Sequence, residues 1–404
     1  MNLLTRQPTR TTLTIGGVRA VVDGRLLDDA RVTVENGIII EIASGTRLGA
    51  DTVDGRGAFL LPGLIDTHTD GFERERQPRQ TATLDTVFAL RSFEARLAGA
   101  GITTAFHGVG FDDRADHFRS LEAAAELWQA ITDRRRAGRA PVDHRVLYRL
   151  EARTIDGFEA MRACLDREDA DGPRPLVSFE DHTPGQGQYR DVQRYVEAMS
   201  DDEIITATSR EERVAQIVAA AESTRELAER NRERVGELTL AGTVTALAHD
   251  VEDAEGITHA SDWGAAIAEF PLTVEAARRA RELAMPVVSG GPNALRGLSH
   301  SGNVAARDLI TAGLCTVLAS DYLPTSLLAS VWLLTRSHIL SLPQAVQLVT
   351  SGPAAAVGLD DRGVIEVGRR ADLILVVDDY PWPRVVAVHS AGCNDPAFTD
   401  LSAA

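Results

Sequence analysis

From Phe59 to Ala319 the chain repeats one kind of unit, a short apolar run that reads as a buried strand followed by an amphipathic stretch. The strand candidates are Phe59–Ile65, Thr103–Gly108, Val146–Leu150, Leu176–Phe179, Leu238–Leu247, Ala265–Phe270, Pro286–Ser289 and Thr316–Ala319. Between them, ERVAQIVAAAESTRELAERNRERV and LTVEAARRARELA carry apolar residues at helical spacing with charges between. A helical crossover returns the chain to the same end of a sheet, so strand–helix alternation predicts parallel strands. About eight such units over roughly 300 residues fit a (β/α)8 barrel better than an open sheet.

The two ends read differently. TLTIGGVRAVVDGRLLDDARVTVENGIIIEIASG alternates apolar strands with the turn signals Asp23-Gly24 and Asn36-Gly37, a β-meander pattern. RGVIEVGRRADLILVVDDYPWPRVVAVHSAG repeats that pattern near the C-terminus. Neither end is long enough to make a good sandwich alone. The predicted fold is therefore α/β: a TIM-like barrel over 61–355, with residues 1–60 and 356–404 pairing into one small β-sandwich domain.

Composition narrows the function. A formal charge of −17 argues against nucleic-acid and anionic-membrane partners, so an anionic substrate needs a locally basic pocket. Cys164, Cys315 and Cys393 have no paired spacing, which suits a reducing cytoplasm better than a disulfide framework. No signal peptide is read at the N-terminus, and no run approaches the roughly 18 apolar residues of a membrane span. Cytoplasmic localisation is the expectation. The chain contains no lysine, so all 42 basic residues are arginine. That excludes a lysine Schiff base, a P-loop lysine and a carbamylated lysine bridging two metals.

Barrels place their chemistry at the C-terminal ends of the strands. Here those ends carry His68 and Asp70, then His107, then Arg149 and Glu151, then Glu180, Asp181, His182 and Arg190. His249 and Asp250 follow the fifth strand, and Asp321 follows the eighth. A lone strand-end histidine is more often a hydrogen-bonded core residue than a ligand, and Asp181 or Asp250 alone reads as a helix cap or a group orienting the adjacent histidine. Imidazoles and carboxylates around one ring are a ligand supply for one or two divalent metals. Without lysine, Glu151 is the candidate for an anionic bridge between two ions. The Gly-rich segment GGPNALRGLSHSGN leads toward a helix expected near Val304. Its Arg296, Ser299, His300, Ser301 and Asn303 suit a phosphate group at that helix start, or else form an ordinary long loop with an Asn cap.

LLPGLIDTHTD and PAAAVGL…GVIEVGRRADLILVV, with the paired β-rich ends, resemble the amidohydrolase superfamily over nearly the whole chain. LIDTHTDGFERERQPR, EDHTPGQGQYRD, IAEFPLTVEAARRARE, GGPNALRGLSHSGN and ASDYLP look like its PhnM-like branch, the diphosphatases of phosphonate metabolism. The resemblance implies a cytoplasmic metal-dependent hydrolase with two zinc ions (manganese or iron being the alternatives), expected as a homodimer. Its small anionic substrate is a ribose 5-triphosphate ester, split to the 5-phosphate and pyrophosphate. His68, Asp70, His182, His249 and Asp321 are carried over as metal-site residues, with Glu151 in the bridging place and Asp321 also catalytic. Arg149, Arg190, Arg296 and the Ser299–Asn303 turn are the expected phosphate contacts. Gly71-Phe72 departs from the branch's pattern and is read as altering the rim of the site; His107 receives no role. The scaffold leaves open a C–N hydrolase (deacetylase, cyclic amidase or deaminase) or a non-catalytic protein that has lost its metals.

Overall fold

The structure is a computed structural model in which residues 12–45, 49, 52–79, 82–113, 120–138, 140–169, 172–189, 192, 210–299 and 303–392 are described. Strands β1 (Thr12–Val22), β2 (Arg25–Glu35) and β3 (Ile38–Ser44) form an antiparallel meander. Both connections are the two-residue turns expected from the sequence. Asp23, Gly24, Asn36 and Gly37 all sit at φ between 47° and 78°, the left-handed backbone that tight hairpins require. Strands β4 (Thr52–Asp54) and β5 (Phe59–Pro62) then pair parallel to β1.

The single strand predicted over Phe59–Ile65 is two strands. Pro62 ends β5, and Gly63 turns the chain into β6 (Leu64–Thr69), the first barrel strand. A side chain at Gly63 has no room, because its Cβ would lie 2.1 Å from Thr103 Oγ1. The barrel continues through β7 (Ile102–Phe111), β8 (Asp143–Glu151), β9 (Leu176–Glu180), β10 (Thr245–His249), β11 (Ile267–Glu269), β12 (Val287–Gly290) and β13 (Val317–Ala319). Each pairs parallel with the next, and an isolated bridge between Thr69 and Asp321 joins the last strand region to the first. The predicted strand Leu238–Leu247 starts too early, since Leu238–Leu240 end the helix Arg225–Leu240. Only the apolar side of that segment was legible, and helical packing accounts for it as well as a strand does.

Inward-facing Ile65, Phe106, Leu147, Leu176, Leu247, Ile267, Val288 and Val317 fill the barrel below the site. Burying each stabilises the fold by roughly 1.5–3 kcal/mol relative to exposure. Outside the strands lie α1 (Gly71–Arg76), α2 (Thr86–Gly99) and α3 (Leu121–Arg136), which bury Phe72, Phe93 and Trp128 against β7 and β8. Strands β14 (Leu373–Val377) and β15 (Arg384–His389) complete the first sheet, β14 pairing antiparallel with β5. Both chain ends thus build one seven-stranded sheet, continuous in its hydrogen bonding. The buried Arg362 clamps this region to the barrel through Thr104 Oγ1 at 3.0 Å and Asp143 Oδ2 at 2.7 Å. Among the described residues, no helix is long and apolar enough to cross a membrane.

Candidate metal centre

Strand β6 begins apolar and ends polar while remaining buried throughout, which delivers His68 and the following Asp70 to the mouth of the barrel. Its partner across the closing seam is the segment after β13. Asp70 N–H donates to Asp321 O at 2.7 Å, and Asp321 N–H donates to His68 O at 2.9 Å. This stitch holds the Asp321 backbone at φ 55° and brings its carboxylate beside Asp70. Beneath it, Asp66 accepts from Ser320 N–H at 2.9 Å and from the Ser320 hydroxyl. Burial nevertheless pushes the Asp66 carboxyl up to about 6.

His68 Nε2 lies 3.4 Å from Asp70 Oδ1, and its Nδ1 lies 2.8 Å from Glu269 Oε1. The other oxygen of Glu269 lies 2.9 Å from His249 Nδ1. One buried glutamate at the end of β11 therefore fixes two histidines, with Phe270 edge-on to both rings. Glu180 ends β9 and takes Arg149 Nε at 2.8 Å, while Arg149 Nη1 reaches Asp70 Oδ1 at 2.6 Å. The Ser178 hydroxyl lies 3.0 Å from Glu180 Oε1 and 2.5 Å from Glu269 Oε2. His182, two residues beyond β9, turns Nδ1 onto Glu151 Oε1 and lies 3.6 Å from Glu180 Oε2.

Three sets of donor atoms lie within 4.8 Å of one another: His68, Asp70 and Asp321; Glu180, His182 and His249; and His68, His249 and Glu269. Of the sequence-predicted ligands, His68, Asp70, His182, His249 and Asp321 fall in these sets. Glu151 does not, because it faces His182 Nδ1; Glu180, directly across the strand pair from it, stands with His182 and His249. Glu269 was absent from the expected set. The signal was present, since the strand-end rule applied to the sixth strand ends on IAE.

Charge follows geometry. Burial opposes ionisation of His249, but Asp250, Glu180 and Glu269 outweigh it and raise its pKa to about 9. Burial likewise opposes the charge on His68, and Glu269 and Asp70 raise it well above the usual imidazole range. Against burial, the His68 and His249 imidazoles bring Glu269 down to about 2, and Arg149, His249 and His182 depress Glu180 further. Asp321 is shifted the other way, by burial first and by Asp70 second. A cluster of imidazoles and carboxylates this close is suited to a divalent cation.

The expected phosphate contacts scatter. Arg149 is interior and bound to two carboxylates, whereas Arg296 is exposed on the last turn of the helix Gly291–Arg296. Arg190, His300 and Ser301 lie outside the described residues, as does Cys393. The helix expected near Val304 spans Ala306–Thr311, and its first amide is taken by Asn293 Oδ1 at 3.0 Å rather than by Asn303. Ser299 and Asn303 flank residues 300–302, which lie outside the described residues. Of the arginines after Asp70, the exposed Arg74 lies over Tyr322, 5.2 Å from its ring centre, while Arg76 is spent on Thr86 and Glu126. Phe72 is 1% exposed, so Gly71-Phe72 belongs to the packing behind the site and not to its rim. A Cβ on Gly71 would stand 2.3 Å from the Phe93 ring. His107 points the same way, between Phe72 and Phe93, with Nε2 2.8 Å from His144 Nδ1.

Comparison with known proteins agrees with this architecture. The chain is 35% identical over 363 residues to the alpha-D-ribose 1-methylphosphonate 5-triphosphate diphosphatase of Escherichia coli strain K12, covering 89% of this chain and 94% of that one. It is 26% identical over 395 residues to an imidazolonepropionase of Symbiobacterium thermophilum, covering 91% and 85%. Among solved structures, N-acetyl-D-glucosamine-6-phosphate deacetylase from Mycobacterium smegmatis superposes with a TM-score of 0.59 at 16% identity, covering 94% of this chain and 99% of that one. A sequence profile of the Amidohydrolase family matches residues 80–381, well over half the chain. With that match and a relative similar over nearly its full length, the chain belongs to the amidohydrolase family.

Proposed function

We propose that this chain is a metal-dependent diphosphatase that hydrolyses the phosphoanhydride of a ribose 5-triphosphate ester, releasing pyrophosphate and leaving the 5-phosphate. The observation that carries the metal chemistry is the meeting of His68, Asp70 and Asp321 with Glu180, His182 and His249 at one barrel mouth. The substrate class rests on the Escherichia coli diphosphatase, whose substrate is α-D-ribose 1-methylphosphonate 5-triphosphate. The donor set fits a divalent ion, zinc being favoured by its share of imidazole. When bound, such an ion supplies Lewis acidity to a phosphoryl oxygen and acidity to water.

The chain's own residues do the rest. Asp321 accepts the proton of the attacking water, and the burial and neighbouring Asp70 that raise its pKa make it a better base than an ordinary carboxylate. Water attacks phosphorus, the bond to the bridging oxygen breaks, and pyrophosphate leaves. Glu269 keeps His68 and His249 oriented through both of its oxygens. Arg74, exposed over Tyr322 and next to the site, supplies positive charge to the leaving polyphosphate.

The test is a product screen. Metal-supplemented enzyme is offered ribose and nucleoside triphosphates in parallel with acylamino acids and cyclic ureides. Pyrophosphate release supports the assignment. Hydrolysis confined to the amides would place the chain among the C–N hydrolases instead.

A further inference from the structure

The three donor sets are not independent, because one cation is already built in between two of them. Arg149 bonds Asp70 of the first set through Nη1 at 2.6 Å and Glu180 of the second through Nε at 2.8 Å. Its residue is 5% exposed, and a guanidinium cannot discharge itself by losing a proton. The space for this clamp is reserved by Gly108 on the neighbouring strand. A Cβ there would lie 2.6 Å from Asp70 Oδ1 and 2.8 Å from Arg149 Cδ.

The clamp affects the two sets unequally. In the second set, Glu180 Oε1 receives both Arg149 and Ser178, and His182 Nδ1 is turned onto Glu151. In the first set, the Asp321 carboxylate receives no hydrogen bond among the described residues. Arg149 already gives Asp70 and Glu180 one fixed positive charge between them. Two divalent ions would place four positive charges within a few ångströms of a fixed fifth.

We propose that Arg149 stands in for a second metal, so that the centre holds one divalent ion per chain, bound by His68, Asp70 and Asp321. The proposal rests on the metal-hydrolase reading, and it departs from the two-ion expectation raised by sequence resemblance. It also makes Arg149 a positioning residue for two carboxylates, in place of the phosphate contact expected of it.

The test is metal stoichiometry, read by elemental analysis and by calorimetric titration of the stripped protein with Zn2+ or Mn2+. The wild type is expected to bind one equivalent. Arg149→Gln, which removes the charge, is expected to bind a second; Arg149→Lys, which keeps it, is expected to stay at one. Two equivalents in the wild type would overturn the role given to Arg149 and leave the metal hydrolase standing. No tight metal in the wild type would overturn the hydrolase reading itself. A folded Arg149→Gln protein that still binds one equivalent also counts against the proposal. Should that variant fail to fold by circular dichroism, the wild-type count decides, supported by Gly108→Ala, which displaces Arg149 from Asp70.

Discussion

Glu269 receives His68 Nδ1 on one carboxylate oxygen at 2.8 Å, and its second oxygen faces His249 Nδ1 at 2.9 Å. Because Nδ1 of each ring is engaged, Nε2 is the atom left to meet a cation. Glu269→Ala is expected to weaken zinc or manganese binding by roughly 10- to 100-fold, the usual cost of losing a group that orients a ligand. Competition with a chromophoric chelator measures it. An unchanged affinity in a folded variant would remove Glu269 from the centre.

Metal binding should depend on pH through His68. Against burial, Glu269 and Asp70 hold its pKa well above the usual imidazole range in the metal-free protein, so at neutral pH the imidazole carries a proton that a metal must displace. The sign follows: affinity rises with pH until the imidazole has lost that proton. Each pH unit below that point costs about 1.4 kcal/mol, roughly a tenfold loss. Chelator competition at pH 7, 8 and 9 reads the slope, and calorimetry in two buffers of different ionisation enthalpy reads the released proton. A flat profile would show that His68 is not a ligand.

The barrel was legible because eight strand candidates separated by amphipathic stretches leave few alternatives; six of the eight match the observed strands with small shifts at their ends, and Leu238–Leu247 overlaps β10 only over its last three residues. The eighth, Phe59–Ile65, crosses a boundary that only Gly63's lack of room reveals. Asking what each strand ends on singles out His68, Asp70, His182, His249 and Asp321, and the structure brings their donor atoms into shared clusters. Glu151 and Glu180 could not be told apart that way. Both end strands and they lie opposite one another; in the structure His182 turns Nδ1 onto Glu151, while Glu180 clusters with His182 and His249. Arg149 was equally opaque, since an arginine at a strand end looks the same whether it meets substrate or clamps two carboxylates.

Outside the barrel, a buried chain runs from His107 through His144 to Glu94 and Arg134. His144 Nε2 lies 2.9 Å from Glu94 Oε2, and Arg134 grips both Glu94 oxygens at 2.6 and 2.9 Å. Removing one partner strands the others, so Arg134→Ala should cost roughly 3–5 kcal/mol in urea unfolding. Burial opposes the Glu94 charge, but His144 and Arg134 hold its pKa at about 2. This stabilisation is present above the unfolded-state value near 4.5 and fades as pH falls through 2. The gap between wild type and Glu94→Gln should narrow across that window. A constant gap would mean that the glutamate contributes packing alone.

Gly71→Ala tests the placement of the dipeptide after Asp70. Its methyl would meet the Phe93 ring at 2.3 Å, an overpacking expected to cost about 1–3 kcal/mol. The melting temperature should fall while metal stoichiometry stays at the wild-type value. A variant of unchanged stability would place Gly71 at an open rim.

The most direct test is pyrophosphate release from a ribose triphosphate ester by the metal-loaded wild type and by Asp321→Asn at equal metal content. The expected result is turnover in the wild type and a loss of at least about 100-fold in the variant, the usual scale for removing a general base. Full turnover by Asp321→Asn would contradict the role given to Asp321, and a wild type that cleaves amides but releases no pyrophosphate would contradict the function itself.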